Sequence, residues 1–207
     1  MPGRLPLSIA AVLFGVFLAL GHAVHTGATA DFDLRSSLDV QSDDETTQAV
    51  AVAISRPLDT WRGFVAAFLV LAGVWGAWQR RAALFTLAGG GGAVLASHIA
   101  KLLYGRARPS APIEVMVEQP VTSSFPSGHV SWVAGFVGAV IWLAMRNKSW
   151  GTRTWQLAIY VVCVGAMAWS RVYLGQHFVT DVVGGTLLGL MCVAIAIATV
   201  RPDSGPA

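Results

Sequence analysis

Long apolar segments alternate with short polar ones along most of the chain. The apolar segments cover residues 5–20, 61–78, 82–104, 128–145, 155–173 and 182–200. An α-helix needs about 20 mainly apolar residues to cross the hydrocarbon core of a bilayer. The pattern therefore predicts an all-α fold, a polytopic membrane helix bundle with six transmembrane helices.

The chain is predicted to form a single membrane-embedded domain, residues 1–207, with four parts. Residues 1–24 are a first span or a signal-like helix, 25–60 an external acidic loop with a short surface helix, 61–200 a core with five spans, and 201–207 a short cytoplasmic tail. Ala28-Thr29-Ala30 is similar to a signal peptidase site, so cleavage remains an alternative to an uncleaved first span. Residues 105–126 are predicted to be a loop, because they contain four prolines.

Composition agrees with a membrane protein. Hydrophobic residues make up 55% of the chain and charged residues 12%, and the mean hydropathy is +0.61, whereas about a quarter of the residues in a soluble domain are charged. The net charge of +3 comes with no dense basic run, which argues against nucleic acid as a partner. Cys163 and Cys192 lie inside apolar segments, so we expect buried thiols rather than a disulfide or a metal site.

Lysine and arginine residues near the span ends predict the orientation, because they are enriched on the cytoplasmic side. The two sides carry equal numbers, so the count alone does not decide. Arg80-Arg81 and the basic residues of 146–153 lie in short connections with no other evident role, whereas Lys101, Arg108 and Arg171 belong to a chemical cluster described below. Setting those three aside predicts that both termini are cytoplasmic.

The first segment with chemical character is Lys101-Leu-Leu-Tyr-Gly-Arg-Ala-Arg108-Pro109, at the predicted outer end of the third span. Lys101 and Arg108 share one face if the helix continues, although Gly105 and Pro109 favour a helix end between them. Cations at helix ends are also typical of snorkelling side chains. The segment alone leaves both interpretations open.

The second segment is Phe125-Pro126-Ser127-Gly128-His129, directly before the fourth span. Ser127 occupies an N-cap position, so the free amides of the first turn and the helix dipole favour an anion there. His129 could donate a proton beside such an anion. A capping serine followed by an unrelated histidine is the alternative.

The third segment runs from Ser170-Arg171 to His177 and Asp181. His177 and Asp181 are four positions apart at a predicted helix start, so the carboxylate can accept a hydrogen bond from one ring nitrogen. The other nitrogen then remains available as a base or nucleophile. A structural ion pair is the alternative.

On the six-span topology, all three segments lie at one membrane face. Lys101, Arg108 and Arg171 would surround one anion, and two histidines would serve opposite proton roles, which are the parts that phosphoryl transfer requires. No cluster of Asp and Glu suited to Mg²⁺ accompanies them in the sequence. The predicted reaction therefore uses no metal and no cofactor.

In order and spacing, these segments resemble the signature of the type 2 phosphatidic acid phosphatase superfamily, the lipid phosphate phosphatases. The resemblance covers residues 62–200 and implies an acid phosphatase/vanadium haloperoxidase-like core. It also implies a two-step mechanism, in which His177 attacks phosphorus to form a phosphohistidine and Asp181 orients His177. His129 would protonate the leaving oxygen and then activate water.

The same resemblance implies which groups bind the phosphoryl oxygens: Lys101, Arg108, Arg171, Ser127 and the Gly128 amide, with Ser170 in support of Arg171. Other polar side chains receive ordinary interpretations. Arg106 is interpreted as surface charge. His98, one turn before Lys101, is interpreted as a hydrogen-bonded interior histidine, and a place in the lining of the pocket is the alternative. His22 and His25 are expected at the interface, and Glu114 and Glu118 are expected to be solvated.

Together these features predict an integral lipid phosphate phosphatase of the cytoplasmic membrane, with its site on the extracytoplasmic face. Phosphatidic acid, phosphatidylglycerol phosphate and polyprenyl pyrophosphate are the candidate substrates, and neither the choice among them nor the oligomeric state follows from the motifs. The hydropathy argues against the soluble haloperoxidases that share the signature. The alternative function is a membrane transporter or lipid-binding protein that holds an anion without catalysis. The His177–Asp181 pair favours the enzyme, because binding alone needs no oriented nucleophile.

Overall fold

The computed structural model describes residues 4–58, 61–146 and 148–200, and within these ranges it is helical and contains no strand. The elements in chain order are α1 (Arg4–His25), α2 (Ala30–Val40), α3 (Glu45–Ser55), a 3₁₀ turn (Arg56–Leu58), α4 (Trp61–Tyr104), α5 (Gly128–Met145), α6 (Trp150–Tyr173) and α7 (Val179–Thr199). Among the described helices, α1, α4, α5, α6 and α7 are long and apolar enough to cross a membrane. The predicted all-α membrane bundle is confirmed. The predicted tail, 201–207, lies outside the described residues.

Helix α4 consists of two arms. Its 44 residues would extend about 66 Å at 1.5 Å per residue, roughly twice the hydrocarbon thickness of a bilayer. The helix is interrupted at Gln79, where φ is 72° and ψ is 175°, beside the charged pair Arg80-Arg81. The arms on either side of Gln79 correspond to the predicted second and third spans. The predicted count of six spans is therefore approximate, because five of the described helices are long enough to span a membrane and one of them, α4, is broken at Gln79.

Helix α7 packs against α1, α4 and α5, and α6 packs on α5. Glycines permit the close approach: a Cβ atom at Gly185 would lie 2.6 Å from the Ser127 carbonyl oxygen, and one at Gly90 would lie 2.7 Å from the Phe136 ring. Small residues at helix contacts are typical of transmembrane bundles. Cys192 is buried, Cys163 is half-buried, and both are free thiols.

Helix α1 is an integral part of the bundle. Its Phe17 is buried and stacks on Phe125 with ring centroids 5.5 Å apart, and Tyr104 meets both rings edge-on. These contacts link the first span to the end of α4 and to the loop before α5.

The segment predicted as an acidic loop with one short surface helix instead contains two helices, α2 and α3. Asp44 caps α3 by accepting a hydrogen bond from the Thr47 amide (2.8 Å), and its hydrogen bonds with Thr47 lower the pKa of this carboxyl. Helix α3 packs on α6, where Ser170 Oγ donates to the Ala51 carbonyl at 2.7 Å. Asp33 is fully buried. The segment therefore forms a helical cap over one end of the bundle.

Candidate active site

A cavity of about 280 Å³ opens at the capped end of the bundle, between the two arms of α4 and the first turn of α5. Six of the predicted site residues line it: Lys101, Arg108, Gly128, His129, Arg171 and His177. They come from the end of α4, the following loop, the start of α5, the end of α6 and the turn before α7. The structure thus brings together residues that are separated by up to 76 positions in the printed sequence. Apolar side chains also line it, among them Leu58, Ala67, Val94 and Trp132.

A tight turn between α6 and α7 positions Arg171 and His177. Gly175 has φ 66°, a left-handed conformation that favours glycine at a helix end. A Cβ atom there would overlap with the Glu114 carbonyl oxygen. The turn closes with hydrogen bonds from the amides of Gln176 (3.0 Å) and His177 (3.2 Å) to the Arg171 carbonyl. Local backbone geometry therefore holds the arginine and the histidine at one site.

The His177 imidazole is buried against Asp181 and Ser124. Its Nδ1 atom lies 3.4 Å from Asp181 Oδ2 and 3.4 Å from Ser124 Oγ. Ser124 Oγ donates a short hydrogen bond to the same carboxylate oxygen, which also accepts the Phe178 amide at 2.9 Å. Because Nδ1 faces the carboxylate, Nε2 is the ring nitrogen that remains for chemistry in the cavity.

Burial favours the neutral form of His177. Burial lowers its pKa from 6.5 to about 3; the hydrogen bond and charge of Asp181 act in the opposite direction, and the cations Arg171 and Lys101 lower it further. An unprotonated imidazole is the form that can act as a nucleophile. The pKa of His177 is thus suited to that role over the physiological pH range.

Protein oxygens hold the three predicted anion-binding cations beside the cavity. Arg108 donates to the carbonyls of Thr122 and Gln176, at 2.8 Å each, and burial lowers the pKa of its guanidinium. Lys101 Nζ donates to the carbonyls of Ser123 and Ser124.

Arg171 is almost completely buried. Its guanidinium contacts Ser55 Oγ of α3 and, at 3.2 Å, Gln176 Oε1. The helical cap therefore contributes directly to positioning one of the three cations.

The start of α5 lies at the cavity, as predicted for an anion-binding helix N-terminus, but the Ser127 side chain does not cap the helix. Ser127 is the N-cap residue, yet its hydroxyl makes no capping bond and has no hydrogen-bond partner among the described residues. The Ser127 amide instead donates to the Asp181 carbonyl oxygen at 2.9 Å, which ties α5 to α7. The half-buried His129 lies in the first turn and lines the cavity.

Comparison with known proteins identifies the family. The sequence model described as the PAP2 superfamily matches residues 81–204. The chain belongs to the PAP2 superfamily. The predicted resemblance to the type 2 phosphatidic acid phosphatases, and the predicted enzyme class, a phosphatase acting on lipid phosphates, are thereby confirmed.

Relatives of this PAP2 protein agree with the match. A Bacillus subtilis protein named phosphatidylglycerophosphatase B is 30% identical over 194 residues, covering 86% of this chain and 88% of that protein. A Mycobacterium tuberculosis decaprenylphosphoryl-5-phosphoribose phosphatase is 36% identical over 113 residues, covering 53% of this chain and 58% of that protein. The crystal structure of a transmembrane PAP2 type phosphatidylglycerolphosphate phosphatase from Bacillus subtilis matches with a TM-score of 0.81 at 25% identity, covering 94% of this chain and 97% of that chain.

Two predictions about side chains around the PAP2 site are wrong. Arg106 is not surface charge: its side chain is 14% exposed and forms ion pairs with Asp33 and Asp181. His98 is exposed and lines the cavity, although its predicted hydrogen bond is present, from Nδ1 to the Val94 carbonyl at 2.9 Å. An ion pair that joins distant segments has no local spacing, so the sequence carries no signal for it.

The remaining residues differ in how they relate to the cavity. Ser170 is buried and its hydroxyl holds α3 through Ala51. Ser124 and Ser97 were missed by sequence reasoning. Ser124 contacts His177 and Asp181. Ser97 is buried near Gly128, and its hydroxyl is without a hydrogen-bond partner in the described part of the chain.

A group of three or more His, Cys, Asp or Glu side chains able to hold a metal ion does not occur within residues 4–58, 61–146 and 148–200. The charged groups at the cavity are instead cationic.

Proposed function

We propose that this PAP2 protein hydrolyses a phosphomonoester or pyrophosphate of a lipid through a phosphohistidine on His177, without a metal ion. The observation that carries this proposal is the position of His177, which lines one cavity with Lys101, Arg108 and Arg171 while its Nδ1 atom faces Asp181. A nucleophile and three cations at one cavity match the needs of phosphoryl transfer. An anion carrier would need only the cations.

In the first step, the Nε2 lone pair of His177 attacks phosphorus in line with the lipid oxygen. A P–N bond forms as the P–O bond to the lipid breaks, and protonated His129 gives its proton to the departing oxygen. Asp181 stabilises the positive imidazole ring through Nδ1–H. The three cations, the Gly128 amide and the Ser127 hydroxyl bind the non-bridging oxygens.

In the second step, neutral His129 removes a proton from a water molecule that attacks phosphorus. The P–N bond breaks, its electron pair returns to Nε2 of His177, and inorganic phosphate forms. His129 is again protonated and His177 again neutral, so the net reaction converts one lipid phosphate and one water into the dephosphorylated lipid and inorganic phosphate.

The apolar lining of the cavity supports a lipid substrate. Leu58, Ala67, Val94 and Trp132 line the same cavity as the three cations, so hydrocarbon and phosphate can be accommodated together. The Bacillus subtilis relative that aligns with most of this chain is named phosphatidylglycerophosphatase B. We therefore rank phosphatidylglycerol phosphate first, before phosphatidic acid and polyprenyl pyrophosphate.

We further propose that the cavity lies at the extracytoplasmic face of the cytoplasmic membrane. The break of α4 beside Arg80-Arg81 and the connection between α5 and α6, with its basic residues, lie at the ends of the spans that are remote from the cavity. Positive residues in short connections are enriched on the cytoplasmic side. The arrangement supports an outward-facing site with the lipid entering sideways from the bilayer.

The test is phosphate release by the purified protein in detergent, with each of the three lipid phosphates and with EDTA present. We expect wild-type turnover that EDTA does not reduce, loss of turnover in His177→Asn, and unchanged turnover in His22→Asn, which removes an exposed histidine of α1. A ³²P-labelled, acid-labile and alkali-stable adduct should form in wild type and be missing in His177→Asn. Tight binding of lipid phosphate without release by wild type would favour the transporter or binding protein instead.

A further inference from the structure

Arg106 joins two buried carboxylates from distant parts of the chain. Its Nη2 atom lies 2.7 Å from Asp33 Oδ2, and its Nη1 atom lies 2.6 Å from Asp181 Oδ1. Both carboxylates are fully buried, and the guanidinium lies 4.1 Å from the centre of the Phe178 ring. A planar guanidinium can bridge two carboxylates in this way because it presents its donors in a rigid fork.

Asp33 is held by α7 as well as by Arg106. Its Oδ1 atom accepts the Thr180 amide at 2.9 Å, and its Oδ2 atom accepts the Thr180 hydroxyl at 2.6 Å. Arg106 Nη1 donates to the same hydroxyl at 2.8 Å. Asp33, Arg106 and Thr180 thus hydrogen-bond to one another, and Thr180 directly precedes Asp181 in the chain.

The two oxygens of Asp181 have separate partners. Oδ2 faces His177 and accepts from Ser124 and the Phe178 amide, whereas Oδ1 accepts from Arg106. Arg106 therefore fixes the plane of the carboxylate from the side opposite the imidazole. The Asp33 carboxylate offsets part of the positive charge of Arg106. Arg106 therefore neutralises Asp181 less, and Asp181 can stabilise a positive ring on His177 more strongly.

We infer that Asp33, on the helical cap, is a positioning residue for the reaction and that it acts through Arg106 on the Asp181 carboxylate behind His177. The inference rests on the proposed role of His177 as the nucleophile. It gives α2, which the sequence assigned to an external loop, a part in catalysis. Asp33 is not among the residues that line the cavity, so its effect belongs to kcat rather than to substrate binding.

The experiment measures kcat, KM and inhibition by inorganic phosphate for Asp33→Asn, normalised to folded protein. We expect kcat to fall by about 10- to 100-fold, the range typical of groups that orient an active-site ligand, with KM and the phosphate inhibition constant within about twofold. Two controls share helix α2. Asp31→Asn removes an exposed charge, and Ser37→Ala alters a buried residue one turn after Asp33; both should keep wild-type kcat.

A double-mutant cycle tests whether Asp33 acts through Arg106. Arg106→Lys keeps the charge but loses the fork that bridges the carboxylates. Asp33→Asn should then cost less than about twofold in kcat when added to Arg106→Lys. An equal loss of kcat in both backgrounds, or a wild-type kcat in Asp33→Asn itself, overturns the inference.

A second variant covers the case in which Asp33→Asn does not fold. Thr180→Val preserves the side-chain volume and both charges but removes the hydroxyl shared by Asp33 and Arg106. We expect a several-fold lower kcat with unchanged KM, and an unchanged kcat contradicts the inference. Wild-type protein that releases no phosphate from any lipid phosphate refutes the proposed function, whereas active wild type with unaffected variants refutes only the role of Asp33.

Discussion

The Nδ1 atom of His177 lies 3.4 Å from the Oδ2 atom of Asp181, four residues later in the first turn of α7. This distance is longer than an ordinary hydrogen bond, and catalytic hydrogen bonds often tighten only when substrate binds. The oxygen is already fixed by Ser124 and by the Phe178 amide. The carboxylate is therefore oriented before any phosphate arrives.

Replacing Asp181 with asparagine should lower kcat by about 10³-fold or more, because the amide can present a donor to Nδ1 and reverse the tautomer of His177. KM should change little. Phosphate release from mixed micelles of phosphatidic acid measures both constants, and Asp31→Asn controls for loss of one negative charge. A variant that retains more than about a tenth of wild-type kcat would contradict the orienting role.

Arg108→Lys should lower kcat/KM by about 100-fold, because lysine keeps the charge but lacks the planar fork that matches phosphate oxygens. Inhibition by inorganic phosphate should weaken in parallel. Arg35→Lys, at an exposed position of α2, is the matched control. If the phosphate inhibition constant is the same in Arg108→Lys as in wild type, Arg108 does not bind the anion.

The buried neutral His177 should make the protein less stable in acid. Its folded pKa of about 3 lies below the ordinary value of 6.5, so the unfolded chain binds more protons between these two values. Stability is therefore fully present above about pH 6.5 and is lost as the pH falls toward about 3. We expect Tm to decrease over this window and to decrease less steeply in His177→Asn.

Thermal unfolding in detergent, followed by tryptophan fluorescence from about pH 7 to about pH 4, measures this difference. His22→Asn removes an exposed histidine and should follow the wild-type slope. Parallel slopes for wild type and His177→Asn would show that the titration of His177 is not linked to folding.

Ser170→Ala should affect stability rather than chemistry. The change removes the hydroxyl that donates to the Ala51 carbonyl, and the loss of one such hydrogen bond costs about 0.5–1.5 kcal/mol. We expect Tm to fall by several degrees while kcat and KM, normalised to folded protein, stay within about twofold of wild type. A selective loss of phosphate binding would instead assign Ser170 to the anion site.

The spans and the chemical segments were predictable because each has a local pattern. The polar sequence Gln79-Arg80-Arg81 marked the break in α4 to within a few residues, and the four-residue spacing of His177 and Asp181 predicted their contact. The three segments also combine in one cavity, as the topology predicted. Each of these features depends on residues that are close together in the chain, so it can be predicted from one sequence.

The cap and its contacts were not predictable in the same way. The Asp and Ser content of residues 25–60 favoured a loop, whereas tertiary packing stabilises α2 and α3. Arg106 and Asp33 are 73 positions apart, and neither residue lies in a pattern that names its partner. The exposure of His98 likewise depends on tertiary packing around the cavity, which no local spacing encodes.

The helical cap has a consequence for protein engineering. A chimera could carry residues 30–58 of another superfamily member on this core, and it would preserve every signature motif. It would still lack the partners of Arg106 and Arg171, unless the donor protein has an acid at the position of Asp33 and a hydroxyl at the position of Ser55. When this region is exchanged between enzymes, each cap residue therefore has to be transferred together with a compatible partner in the core.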